Sequence, residues 1–284
     1  MDYLQFRFEG GVAASTLKVY ACAIDAFHQQ GVFTDRRVKA FLKGAFHIKP
    51  PVRDPYPSWE LHTVTQALSY GPFEPLRKCP LRELTWKTVF LVAITSARRG
   101  CELQALDVRD PWCKIRDFGC ELRHNPDFLP KVASVENINA TIDLPRLRAL
   151  PGEQHGSAWG CLCVTRCLEE YIFRTQDHRQ SDQLFVCYGK DKLGLPAHKT
   201  TIARWISDAI SASYEIQGKV VPENIHAHST RSTSASTAYG RGVDFSEIAR
   251  AARWATRSTF VTHYKLHQAT EGSYALARAV LRPQ

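Results

Sequence analysis

Apolar residues recur at helical spacing along most of this chain. Ser15 is a good N-cap, and Leu17, Tyr20, Ala21, Ile24 and Phe27 follow on one face before Gly31 interrupts. A second helix is expected over residues 36–46, with Val38, Phe41, Leu42 and Ala45 turned inward. Four prolines between Pro50 and Pro57 then make a stiff, extended strap, because proline cannot continue a helix. The pattern divides the chain into a small helical segment (1–50), a proline-rich linker (51–57) and a large domain (58–284).

In the large domain, Trp59, Leu61, Val64 and Leu68 precede a Gly-Pro turn. Residues 81–97 form the most apolar helix, with Leu84, Val89, Phe90, Leu91 and Ile94, and are expected at the centre. Residues 111–144 lose helical period and read as strands, KIRDFGCELRH and NINATIDLP, around the loop PDFLPKVASVEN. Amphipathic helices return over 160–176 and 199–217. Within 226–265 a helix is broken by Gly240 and Gly242, and Asp244 and Glu247 stand at N-cap and N3 spacing for the next. That helix turns Ile248, Ala249 and Ala252 inward and ends near Trp254. A short stripe of Tyr274, Leu276, Ala279 and Val280 closes the chain. The expected fold is mainly α with a small antiparallel β-sheet.

Charge adds a class of partner. Lys and Arg outnumber Asp and Glu, 37 to 28, a formal charge of +9. The surplus favours DNA or RNA, bound in a steeply salt-dependent way. With 44% hydrophobic and 23% charged residues, the 284-residue chain reads as globular. No run of about 18 apolar residues occurs, so no membrane span is expected. The 9 cysteines show no pairing rhythm, and no export signal precedes them, which fits reduced thiols in the cytosol or nucleus. Cys161, Cys163 and Cys167 lie closest together, but no second C-x-x-C or paired His completes a zinc site. They read as buried free thiols, and neither metal nor cofactor is expected.

The chemistry concentrates near the C-terminus. His228 and Arg231, in H-S-T-R, share one face of a helical turn and can grip a single anion. Such a pair alone equally suits a solvated face, and Trp254 or Tyr264 alone suits a core. Together, in the order His228, Arg231, Trp254, Tyr264, they make a phosphoryl-transfer centre with Tyr264 as nucleophile.

That order resembles the C-terminal half of the tyrosine recombinase catalytic domain: His-x-x-Arg, then His or Trp, then a nucleophilic Tyr. The resemblance implies an upstream Arg, with Glu or Asp three residues later, and a Lys on a β-hairpin. Residues 95–106, TSARRGCELQAL, hold Arg99 and Glu102 in that register. Glu102, Leu103, Ala105 and Leu106 align only if Arg99 is the active arginine, which leaves Arg98 as a surface or DNA-backbone contact. Lys131 is the implied hairpin lysine, with Lys114 as runner-up. STLKVYACAIDAFH, GPFEPL, LRHNPDFLPK, QLFVCYG, AHSTRS and RWATRSTFVTHYKL look like the recombinase of DIRS-type and Ngaro-type retrotransposons.

The resemblance also implies roles. Arg99 and Arg231 stabilise charge on the phosphate, and His228 hydrogen-bonds an oxygen and exchanges a proton. Lys131 protonates the leaving 5′ oxygen, Trp254 presents its indole N–H, and Glu102 orients a catalytic side chain from behind. No metal or ATP takes part. The first two helices resemble the end of a core-binding domain whose early helices are missing. Its Arg36, Arg37, Lys39, Lys43 and Lys49 either track a DNA backbone or face solvent. Implied partners are double-stranded DNA and further copies of the chain, as a tetramer on DNA, in the nucleus. The tail after Tyr264 docks on a neighbouring subunit or on its own core. Membranes and small-molecule substrates are not implied. Rival readings are a relaxing topoisomerase, an inactive domesticated DNA-binding protein and an RNA-binding role.

Overall fold

A computed structural model describes residues 1–29, 31–51, 56–131, 135–147, 158–254 and 256–266. The chain divides into two compact units, Met1–Asp54 and Pro55–Gln284.

The first unit holds three helices among its described residues: α1 (Asp2–Glu9), α2 (Ala14–His28) and α3 (Arg36–Ile48). Asp35 caps α3 by accepting the Arg37 N–H at 2.6 Å. The N-cap of α2 is Ala13 without a side-chain bond, so Ser15 lies inside the first turn. The pattern did not predict α1, whose one buried residue, Leu4, joins Leu17, Ala21, Val38 and Ala45 in a small core. Phe27, expected inward, is 85% exposed. At about 100° per residue it falls about 80° from Leu17, at the margin of the apolar stripe. Arg36, Arg37, Lys39 and Lys43 are exposed on α3.

The second unit is built around α5 (Leu81–Ser96), which is buried along nearly its whole length. It packs against α9 (Val164–Thr175) and α10 (Lys199–Ile216), and α4 (Leu61–Ala67) lies on α10. Trp59, Val64, Leu68, Phe90, Leu168 and Trp205 belong to this core. The Lys87 ammonium is buried with them and donates to the Leu68 carbonyl at 2.7 Å and to Glu74 at 2.6 Å. Arg166 meets the same carboxylate with two further bonds.

Antiparallel strands β1 (Cys113–Arg116), β2 (Gly119–Leu122) and β3 (Ile142–Pro145) form a sheet in that order. Cys120 pairs with Leu144 and Leu122 with Ile142, which turns four buried side chains to one face. Two local expectations change. Part of the stretch read as a strand before Ile142 forms a helical turn, α7 (Val135–Ile138); among the described residues, pairing with β2 starts at Ile142. The helix expected over 160–176 is split into α8 (Ala158–Cys161) and α9, with Cys163 as the α9 N-cap. Cys163 and Cys167 are buried free thiols, and burial raises Cys167 to about 12. The C-terminal stripe at 274–280 lies outside the described residues.

Candidate active site

The site begins where α5 ends. Its C-cap, Ala97, takes a left-handed conformation (φ 50°), uncommon for a residue with a Cβ. The turn sends the next two side chains to different surroundings: Arg98 is 5% exposed, whereas the Arg99 side chain keeps about a quarter of its surface in water. Arg99 is also the N-cap of α6 (Gly100–Gln104), and Glu102 accepts the Arg99 N–H at 2.8 Å. Glu102 Oε2 lies 3.8 Å from Nη1 of Arg99 and 3.8 Å from Nη1 of Arg231, while Oε1 lies 3.8 Å from Nη1 of Arg98.

Arg231 comes from α11 (Ser229–Gly240), whose N-cap is His228. The H-x-x-R spacing thus places the imidazole at the mouth of the helix and the guanidinium one turn inside. Trp59, reaching across the fold, donates its indole N–H to Ser229 Oγ at 2.7 Å and ties down this end of α11. Gly242 (φ 84°) then turns the chain, and Asp244 caps α12 (Phe245–Ala252) by accepting the Ser246 N–H at 2.7 Å. The helix stops at Ala252, two residues before Trp254, with Arg253 in the left-handed region. A last helix, α13 (Arg257–His263), delivers Tyr264 as its C-cap.

These elements close over Arg231, which is fully buried. Its Nη1 donates to the Ala97 carbonyl at 2.7 Å and its Nη2 to the Ala252 carbonyl. The guanidinium carbon lies 5.1 Å from the Trp254 ring centre and 5.2 Å from that of Tyr264. Those two rings stack at 4.7 Å, and His228 approaches Tyr264 at 5.6 Å. Ser236, also on α11, donates to the Tyr264 carbonyl at 3.0 Å and accepts the Leu266 N–H at 2.8 Å. The structure therefore gathers Arg99, Glu102, His228, Arg231, Trp254 and Tyr264.

Electrostatics favour an anion here. Three guanidinia surround the single carboxylate of Glu102. Burial, followed by the neighbouring Arg99 charge, lowers the pKa of Arg231, while Tyr264 and Glu102 work against that shift. His228 keeps an exposed edge, yet loss of water around the ring, then Arg231 and Arg99, lower its pKa. It is therefore mainly neutral at pH 7. Two buried donors, Trp254 Nε1 and Arg231 Nε, have no hydrogen-bond partner among the described residues. Such donors suit a ligand oxygen.

Other expected residues fare differently. Lys131 is exposed on the long β2–β3 connection, and Lys114 sits on β1 opposite Glu121. Among the described residues, neither joins the cluster's hydrogen bonds or ion pairs. The root of the β2–β3 connection is fixed beside α6: Asn125 N–H donates to the Ala105 carbonyl at 2.7 Å, and His124 bridges to Leu106. Arg98, expected as a surface or DNA-backbone contact, is instead buried, because the turn at Ala97 points it back against the fold. Ser236, His124, Arg253 and Trp59 were not anticipated. A Ser-rich α11 carries no mark of which hydroxyl faces Tyr264, and Arg253 was hidden beside Trp254; it donates to the carbonyls of Asn137 and Ala140 at 2.6 and 2.7 Å. Among the described residues, no group of three or more His, Cys, Asp or Glu side chains is placed to hold a metal ion.

No protein-family model matches the chain, and no curated protein matches it. Solved structures do. The Tn1549 transposon integrase in complex with circular intermediate DNA aligns over 99% of this chain and 83% of its own, with a TM-score of 0.54 and 12% identity. The same integrase with transposon right end DNA gives 99%, 92%, 0.51 and 13% in the same order. A lambda integrase dimer bound to a core site aligns over 94% of this chain and 65% of its own, with a TM-score of 0.53 and 16% identity. At these identities the likeness establishes the fold, that of the tyrosine recombinase catalytic domain, mainly α with a small antiparallel sheet.

Proposed function

We propose that this chain cuts and rejoins DNA strands through a covalent 3′-phosphotyrosine. One observation carries the reading: Arg231 lies beneath the stacked Trp254 and Tyr264 and within 3.8 Å of the Glu102 carboxylate that also faces Arg99. A phosphodiester is singly charged, and its five-coordinate transition state places more charge on the equatorial oxygens. Guanidinia fixed before the reaction stabilise that state without reorganising. Their planar fork also suits two oxygens at once.

In this mechanism the Tyr264 oxygen attacks phosphorus as its proton passes to neutral His228. The bond from phosphorus to the 5′ oxygen breaks, and Lys131 supplies the proton that this oxygen takes up. The phosphotyrosine conserves the bond energy, so reversal by a 5′ hydroxyl rejoins a strand without ATP. Because Tyr264 and Trp254 cover Arg231, the Tyr264 ring has to swing from the guanidinium face before phosphate can enter. Trp254 Nε1, buried and unpaired, is then a ready donor to a phosphate oxygen.

The finer reading is site-specific integration of a DIRS-type retroelement in the nucleus, by a tetramer on double-stranded DNA. The motif resemblance supports the retroelement reading, and the DNA-bound states of the similar integrases support DNA as the substrate. Arg36, Arg37, Lys39 and Lys43, exposed on α3, are the proposed backbone contacts of the first unit.

The test is incubation with nicked DNA, then a denaturing gel and peptide mapping. A covalent adduct on Tyr264, lost in Tyr264→Phe with DNA binding retained, is the expected result. An adduct that persists in the Phe variant removes Tyr264 from the mechanism. Plasmid relaxation without recombinant product would favour a topoisomerase instead.

A further inference from the structure

Arg98 has no place in the mechanism so far. Burial, then the charge of Arg253, pushes its pKa down to about 10, so it remains a cation at neutral pH. Its Nε and Nη1 have no hydrogen-bond partner among the described residues. It lines a cleft with Thr95, Asn139, Asp143, Glu247 and Arg250, but makes no ion pair with either acid there. The carboxylate it reaches is Glu102, at Oε1.

Glu102 thus has different neighbours at its two oxygens. Oε2 accepts the Arg99 backbone N–H at 2.8 Å and faces the Arg99 and Arg231 guanidinia at 3.8 Å each, inside ion-pair range but beyond hydrogen-bond length. At that separation the acid holds both cations near without occupying the N–H groups that a phosphate needs. A carboxylate between two guanidinia on one side is drawn towards them, and contact would cancel the field offered to the substrate. Arg98 supplies the opposing pull on the other oxygen.

We infer that Arg98 is a positioning residue: by drawing Glu102 through Oε1 it stops that acid from neutralising Arg99 and Arg231, and so keeps the N–H groups of Arg99 and the remaining N–H groups of Arg231 free for the scissile phosphate. The inference rests on the phosphoryl-transfer reading above. It assigns Arg98 a role in setting charge from behind the site, without touching DNA.

The experiment uses the full chain, nicked DNA and single-turnover adduct formation. Arg98→Met is expected to slow adduct formation about 100-fold, the scale of a misplaced catalytic group, with little change in DNA affinity. Arg98→Lys should recover part of the rate, since it restores a cation behind Glu102. In an Glu102→Gln background the Met substitution should add little further loss. A methylphosphonate at the scissile position removes one charge from the phosphate and lessens the need for guanidinia, so the Arg98→Met defect should shrink there. An equal defect on both substrates, or full additivity with Glu102→Gln, would overturn the inference in favour of simple packing. If the unaltered chain forms no adduct, the functional reading fails first. A crystal structure of Arg98→Met then decides the electrostatic claim: contraction of the Glu102–Arg231 separation from 3.8 Å to a hydrogen bond supports it, and an unchanged separation overturns it.

Discussion

The rings of Trp254 and Tyr264 stack with centroids 4.7 Å apart and planes 26° from parallel. Phe260 also stacks on Trp254 at 5.5 Å, so the nucleophile candidate belongs to an aromatic ladder. Trp254→Ala should destabilise the second unit by about 3–5 kcal/mol, the range for a large buried aromatic. Trp254→Phe should retain a stacking ring and much of the stability, yet slow cleavage more than it weakens DNA binding, because the donor N–H is lost while an aromatic ring remains. Thermal unfolding and adduct formation, measured on both variants, separate the two roles. Equal loss of rate and affinity in the Phe variant would count against a donor role.

Ser236 holds the chain at Tyr264 from both sides, as donor to its carbonyl and acceptor from the Leu266 N–H. Ser236→Ala leaves two backbone groups unpaired, at about 1–3 kcal/mol each if they stay dry. The expected signature is a lower adduct-formation rate with unchanged affinity, and Ser236→Thr should rescue part of it.

The proton donor can be identified with sulfur. A 5′-bridging phosphorothiolate leaves without needing a proton. Lys131→Ala should be slow on ordinary DNA and close to the unaltered chain on the sulfur substrate. If Lys114→Ala shows that pattern instead, the donor sits on β1.

His124, 7% exposed and packed on Phe128, has its pKa pushed down to about 4, by burial first and Arg253 second. Unfolded, it titrates near 6.5. Between these values the unfolded chain binds the extra proton, so stability falls as pH drops from about 6.5 towards 4. The full effect is on the order of 3 kcal/mol. His124→Gln should flatten this part of the stability profile; an unchanged slope in calorimetry would show that other groups set it.

The buried Lys87–Glu74–Arg166 cluster makes an asymmetric prediction. Glu74→Gln strands two cations, one fully buried, and should cost about 3–5 kcal/mol. Lys87→Met should cost much less, because Glu74 keeps its two bonds from Arg166. Chemical denaturation of both variants gives the comparison.

Period and punctuation in the sequence were enough for the main helices of the second unit, the region of its strands and the Asp244 cap, since each follows from local spacing. The ordered motif was enough to nominate Arg99, Glu102, His228, Arg231, Trp254 and Tyr264 together. Lys87 went unread because its spacing on α5 is that of any core position, and only Glu74 and Arg166, brought from other elements, make its burial tolerable. Phe27 failed for the reverse reason: apolar character places a side chain near a stripe, but the neighbouring helices decide how far the stripe is covered.

Which arginine faces which partner was settled by a single left-handed turn at Ala97, invisible in residue type because alanine rarely adopts it. The same holds for Ser236, one hydroxyl in a helix of many. Sequence determined the elements and the chemical groups available, since both depend on neighbours along the chain. Tertiary structure decided which of those groups share a carboxylate, a ring face or a carbonyl, since that depends on residues far apart in sequence and on the directions in which the turns send them.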